Sequence, residues 1–213
     1  MKAGLISAVV AVEWRMHQAV PASGGRAGCQ EDFRTFEINR SSQAMGWSEA
    51  CLESYLQDLR TAEKQGRNLQ TEKYARMMES TSPEEYARIR HILPAVDPAA
   101  VAIIEEIVNV AVTWAEEVAD KYPYLAARGR PLRSSADSRL VTSVETYLRS
   151  ELSGYSLKTL RLYRDHVREQ KANNVNGNEI TLRETLKRYG FESLERANEK
   201  IRARTERCGV APD

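Results

Sequence analysis

Apolar residues along the chain recur at spacings of three and four, and nowhere in a sustained alternation of two. That period is the signature of helices that each bury one face, and it leaves no room for a sheet. Leu5, Val9, Val12, Met16 and Val20 trace the buried face of a first helix, from about Leu5 to Ala19. The run from Pro21 to Gly28 breaks it, because Pro and paired Gly punctuate a chain. A second helix is predicted from near Cys29 to Gly46, with Phe33, Phe36 and Arg40 on one side. A third begins near Trp47, capped by Ser48, and stops at Gly66. Its face carries Cys51, Leu52, Tyr55, Leu56 and Leu59.

A shorter helix is predicted after Thr71, with Tyr74, Met77 and Met78. Ser82-Pro83-Glu84-Glu85 and Asp97-Pro98 are start signals, since Ser or Asp caps, Pro fits the first helical position and acids suit the first turn. The helix after Asp97 runs to about Lys121 and is the most apolar of all. Such an element belongs at the centre of a bundle. A loop from Tyr122 to Ser135 follows, then helices over about Asp137–Leu152 and Ser156–Lys171. Beyond the turn at Asn173–Asn178, Thr181 and Ser193 are expected to cap two last helices, the first closed by Gly190. The final one, rich in Glu, Lys and Arg, reads as solvated or frayed. The expectation is therefore an all-α fold, a single-domain multi-helix bundle over residues 1–213 around a central apolar helix. Residues 173–213 form a peripheral C-terminal helical extension, too short for a core of its own.

Composition narrows the classes. Lys and Arg total 31 against 30 for Asp and Glu, so no global field favours a polyanion, and nucleic acid is not expected. The apolar run from Ala3 to Val12 imitates a signal peptide, but Glu13, Trp14, Arg15 and His17 follow at once, and a membrane span needs about 20 apolar residues. No membrane association is expected. Three cysteines, Cys29, Cys51 and Cys208, make no disulfide framework and suggest a reducing, cytoplasmic setting. Oligomeric state is not legible.

Strong catalytic motifs are missing: no P-loop, dinucleotide fingerprint, HExxH or nucleophile elbow. No cofactor and no metal are expected. Glu13 and His17 are four apart, which fits a salt-bridged helix face better than a ligand pair. The most site-like stretch is Gly24-Gly25-Arg26-Ala27-Gly28-Cys29-Gln30, where a glycine-rich loop meets a helix start whose free N–H groups favour a thiolate or an anion. The alternative is a plain turn with a structural cysteine. Asp32, Thr35, Asn39 and Gln43 form a polar stripe on the second helix. Glu106, Asn109, Thr113 and Glu117 do so on the most apolar one. The first stripe either pairs within itself or lines a polar pocket; the second is either the one wet face of its helix or the wall of a site.

Several of these segments also carry a resemblance. Glu13-Trp14-Arg15-Met16, Gly25-Arg26-Ala27-Gly28-Cys29-Gln30, Arg40-x-Ser42-Gln43, Ser54-Tyr55-x-x-Asp58-Leu59, Gly66-Arg67-Asn68-Leu69, Lys73-Tyr74-Ala75-Arg76-Met77-Met78 and Thr142-Ser143-x-Glu145-Thr146-Tyr147-Leu148 resemble the pattern of a bacterial all-helical family catalogued as a domain of unknown function. The resemblance runs from the first helix to about Tyr189. It implies a bacterial, single-domain protein and no particular chemistry.

Two functions from different classes fit these observations. The first is binding or transformation of a small anionic metabolite in a polar pocket of the bundle. Arg15, Arg26, Gln30, Arg40, Arg67, Asn68, Lys73, Arg130 and Tyr147 are its candidate ligand-binding residues, since guanidinium forks and ammonium groups recognise carboxylate and phosphate. Should the pocket catalyse, Cys29 is the candidate nucleophile, Glu145 the acid or base and Tyr74 or Tyr147 a donor. This reading expects at least three of Arg15, Arg26, Arg40, Arg67, Lys73 and Glu145 to converge. The second is a non-catalytic interaction or regulatory module, in which those side chains scatter.

Overall fold

The computed structural model describes residues 1–21 and 28–207. Among them the chain forms eleven α-helices and no strand. The helices are α1 (Lys2–Gln18), α2 (Phe33–Met45), α3 (Glu49–Lys64), α4 (Leu69–Thr81), α5 (Pro83–Ile89), α6 (Pro98–Lys121), α7 (Pro123–Ala126), α8 (Val144–Leu152), α9 (Leu157–Ala172), α10 (Gly177–Arg188) and α11 (Leu194–Arg207). One main core joins α1, α3, α6, α8 and α9 through residues such as Val9, Leu52, Ile107, Leu152 and Leu160.

Capping side chains set most of the boundaries, and some lie away from the expected positions. Ser48, Asp97 and Ser193 accept backbone N–H bonds as anticipated, from Cys51, Ala99 and Arg196. The second helix starts at Phe33 and not at Cys29, because Asp32 caps it by accepting from Thr35 N. The fourth starts before Thr71, since Asn68 Oδ1 accepts from both Gln70 N and Thr71 N. Asp137 does not open α8; Ser143 does. The Asp137 carboxylate instead gathers Ser143 N and the Ser80 and Thr146 hydroxyls, which ties the preceding loop down. Asn176 caps α10, and Thr181 lies one turn inside it with its hydroxyl on Gly177 O. The third helix ends as expected at Gly66, whose φ of +68° suits a residue with no Cβ.

The apolar helix α6 packs against α7, α8, α9 and α10. It has the length and hydropathy of a membrane-crossing helix. Its burial is one-sided, however: Ile103, Ile104, Ile107, Val108 and Val112 are buried, while Val101 is 49% exposed. Asn109, Thr113 and Glu117 of the polar stripe are exposed and line an open cavity with Lys171 and Asn176, and Glu106 pairs with Arg168. The chain beyond Asn173 is built in, with α10 packed against α2 and α6. The last helix is anchored at its N-terminal end, and most of its remaining residues are exposed, as its charged sequence predicts. Leu194 packs with Val118 and Tyr122, Tyr122 Oη donates to Glu195 at 2.6 Å, and Leu125 N donates to Asn198 at 3.1 Å.

Candidate functional site

The centre of the bundle is charged. Glu13, fully buried on α1, sits on the same helical face as Val9 and Met16. An unpaired carboxylate there would cost several kcal/mol, so it must be matched. Arg40 of α2 supplies both guanidinium edges to it, with Nε donating to Oε2 at 2.8 Å and Nη2 donating to Oε1. Tyr55 Oη of α3 donates to the same Oε1 at 2.7 Å. Arg40 then reaches α8, where Nη2 donates to Glu151 Oε1 at 3.1 Å, and Nη1 donates to Gln43 Oε1 at 2.6 Å. Glu151 also accepts from Tyr155 Oη at 2.8 Å and from Lys73 Nζ at 3.5 Å. Two carboxylates thus face two cations, and five helices meet at one neutral cluster.

The protonation states follow from that pairing. Burial would raise the Glu151 carboxyl, but Arg40 and Lys73 outweigh it and hold its pKa at about 2. Burial also opposes charge on Lys73, yet Tyr147 and Glu151 more than compensate and raise its pKa, so it remains an ammonium. Tyr55 and Tyr155 are pushed well above the ordinary phenol value, chiefly by burial and then by the adjacent carboxylates. Both stay protonated and act as donors.

A cavity of about 540 Å³ opens beside this cluster, between α1, the turn at Gly28–Gln30, α2, α4, α8 and the loop that carries Arg130. Its buried lining comprises His17, Arg40, Gln70 and Lys73. Aromatic walls come from Phe36, Tyr74 and Tyr147, and the exposed rim from Cys29, Asp32, Thr35, Asn39 and Arg130. Lys73 Nζ donates to Tyr147 Oη at 2.7 Å and lies 4.4 Å from that ring's centroid. The Arg130 guanidinium stacks over the same ring at 5.0 Å and donates one bond, to Thr142 O at 3.1 Å. Among the described residues Arg130 has no carboxylate partner. Gln70 is 3% exposed, and its side-chain amide makes no hydrogen bond to the described residues although it lines the cavity.

His17 Nε2 lies 3.3 Å from Cys29 O. A carbonyl only accepts, so the hydrogen sits on Nε2. The ring stacks on Phe36 at 5.1 Å, and Nδ1 is buried with no partner among the described residues. Burial lowers the His17 pKa, which keeps the imidazole neutral. Glu13 is committed to Arg40 and Tyr55, so the Glu13–His17 pair is not a ligand pair. Burial likewise raises the Tyr74 phenol, making it a donor at neutral pH.

The structure brings together Cys29, Arg40, Lys73, Tyr74, Arg130 and Tyr147 from the sequence-predicted set. Of the five described residues among the six expected to supply a converging trio, Arg40 and Lys73 meet; a third cation at the cavity is Arg130. Arg15 pairs with Glu63 on the surface, and Arg67 forms a bidentate pair with Glu72. Asn68 is spent on the α4 cap and on Met16 O. Gln30 holds the α1 terminus by donating to His17 O and Val20 O. Glu145 lies outside the cavity, fixed by Ser134 N at 2.8 Å and by Arg149. Arg26 falls outside the described residues.

Sequence reasoning passed over Glu151, Tyr55, Tyr155 and Gln70. The signal for Glu151 was present: it follows Tyr147 by four and Leu148 by three, on the inward face of α8. The polar stripe of α2 was read correctly as a possible wall, since Asp32, Thr35 and Asn39 line this cavity.

Fold and site together define an all-α protein whose helices are joined by a neutral cluster of buried charges beside a cation-lined cavity. The chain belongs to the family described as Protein of unknown function (DUF4125), whose family model matches residues 3–199. No curated protein and no solved structure matches it.

Proposed function

We propose that this protein binds a small anionic metabolite, a carboxylate or a phosphate ester, in the cavity between α2, α4 and α8. The observation that carries the reading is the placement of Lys73 and Arg130 on one ring, that of Tyr147. Among the described residues Arg130 donates one hydrogen bond, leaving most of its five N–H groups without an acceptor there, and Lys73 is a buried, charged donor. A guanidinium fork beside an ammonium suits bidentate recognition of carboxylate or phosphate. The Gln70 amide, with no hydrogen-bond partner among the described residues, adds a donor to the lining. Binding is favoured over transformation because Glu145, the acid or base expected from the sequence, lies outside the cavity, held by Ser134 N and Arg149.

The setting that fits is the bacterial cytoplasm, with Cys29 and Cys51 as free thiols. The reading requires no cofactor, metal, nucleic acid or membrane. A thermal-shift panel of mono- and dicarboxylates and phosphate esters tests it. A true ligand at about 100 times its dissociation constant stabilises the fold by ~2.7 kcal/mol. At the same ligand concentration that shift is expected to fall to roughly 0.4–1.4 kcal/mol in Arg130→Ala. Silence across the panel would end the proposal.

A further inference from the structure

A second cavity, of about 420 Å³, lies between α2, α6, α8, α9 and α10. Asn39, Arg130 and Tyr147 line both cavities, so the two adjoin at Arg130, with Lys73 on the first cavity's side. The second is different in character. Trp47, Trp114, Leu148 and Val167 form its apolar side. Its polar side is already hydrogen-bonded: Asn178 Nδ2 donates to Ala111 O at 2.7 Å, Thr181 Oγ1 to Gly177 O at 3.1 Å and Thr185 Oγ1 to Thr181 O at 2.8 Å. It therefore asks for shape and apolar surface, and offers few donors.

From this junction we infer that the ligand is an elongated amphiphilic anion. Its carboxylate or phosphate head sits between Lys73 and Arg130, and an unbranched or aromatic apolar tail runs past Tyr147 between Trp47 and Trp114. The inference rests on the anion-site reading above and specifies the substrate class. Pairing a few charged contacts with an apolar channel is how pockets of this size gain both orientation and affinity.

The probes are n-alkanoates from acetate to decanoate, with 1-octanol as the uncharged control, titrated into the full chain by calorimetry and tryptophan fluorescence. Affinity is expected to rise about fourfold per added methylene. Octanoate should change the intrinsic fluorescence, acetate should not, and Trp114→Phe should diminish the change. Thr181→Phe, which narrows the second cavity, should keep acetate affinity and abolish the gain with length. If that variant does not fold, the wild-type length series decides the matter alone. Equal affinities for acetate and octanoate, with silent tryptophans, would overturn the tail and leave the anion site standing. Octanol binding as tightly as octanoate, or no binding at all, would overturn the anion site and the tail with it.

Discussion

Lys73 Nζ donates to Tyr147 Oη at 2.7 Å while lying 3.5 Å from the Glu151 carboxylate, so one ammonium ties the buried charge cluster to the wall of the cavity. Anything that binds at Tyr147 is therefore coupled to the pairing that holds five helices together. Ligand binding and fold stability should respond to overlapping sets of substitutions, separable only by residues that touch one and not the other.

Arg40 belongs chiefly to the fold. Replacing it by Met leaves Glu13 and Glu151 buried and facing each other with Lys73 alone. Breaking a buried pair in this way costs about 3–5 kcal/mol. Urea unfolding should show that loss in Arg40→Met. Adding Glu13→Gln should recover part of it, because the uncompensated charge is gone; simple additivity of the two substitutions would contradict the geometry.

Arg130 belongs to the cavity. It is exposed and donates one backbone bond, so Arg130→Ala should change stability by no more than about 1 kcal/mol. Affinity for an anionic ligand should drop about 10- to 100-fold, matching the ~1.5–3 kcal/mol of a hydrogen bond to a charged group. Calorimetry on a variant with a native melting curve measures this directly.

Stability should fall with acidification in two windows. The folded-state pKa of His17 lies below its ordinary value of 6.5, so the unfolded chain takes up that proton first and stability starts to decline below about pH 6.5. The Glu151 carboxyl is held at about 2 against an ordinary 4.5. Its contribution is complete above about pH 4.5 and is lost as pH falls toward 2. Melting curves between neutral pH and pH 3 should show both slopes. His17→Gln should remove the upper one and Glu151→Gln should lessen the lower, to which Glu195, Asp137 and Glu145 also contribute, each in a less stable background.

Cys29 and Cys51 should differ in reactivity. Cys29 is exposed on the cavity rim, whereas Cys51 is fully buried and its thiol is pushed up to about 12 by burial and by Asp58. Maleimide labelling, read as wild type minus Cys29→Ala, should be fast for Cys29 in the native protein and slow once a ligand fills the cavity. Cys51 should label only on unfolding. A Cys29 rate indifferent to a stabilising ligand would place that ligand elsewhere.

Much of the architecture is legible because helices are local objects. The three-and-four spacing of Val9, Val12 and Met16, the Ser48 and Asp97 caps and the stop at Gly66 involve residues within a turn or two of each other. The polar stripe Asp32, Thr35 and Asn39 was visible for the same reason. Where boundaries differ, a neighbouring side chain was the stronger cap, as with Asn68 over Thr71 and Ser143 over Asp137.

The sequence by itself determined the helices, their faces and the presence of charges on faces that ought to be apolar. Only the tertiary structure decided which charges meet. Arg40 finds Glu13 across 27 residues and Glu151 across 111, and no spacing rule reaches that far. Arg15 and Arg130 look alike along the chain, but packing sets Glu63 beside one and an open cavity beside the other. Desolvation supplies the physical reason: a buried charge must find a partner wherever the folded chain provides it, and that place is fixed by how the helices pack.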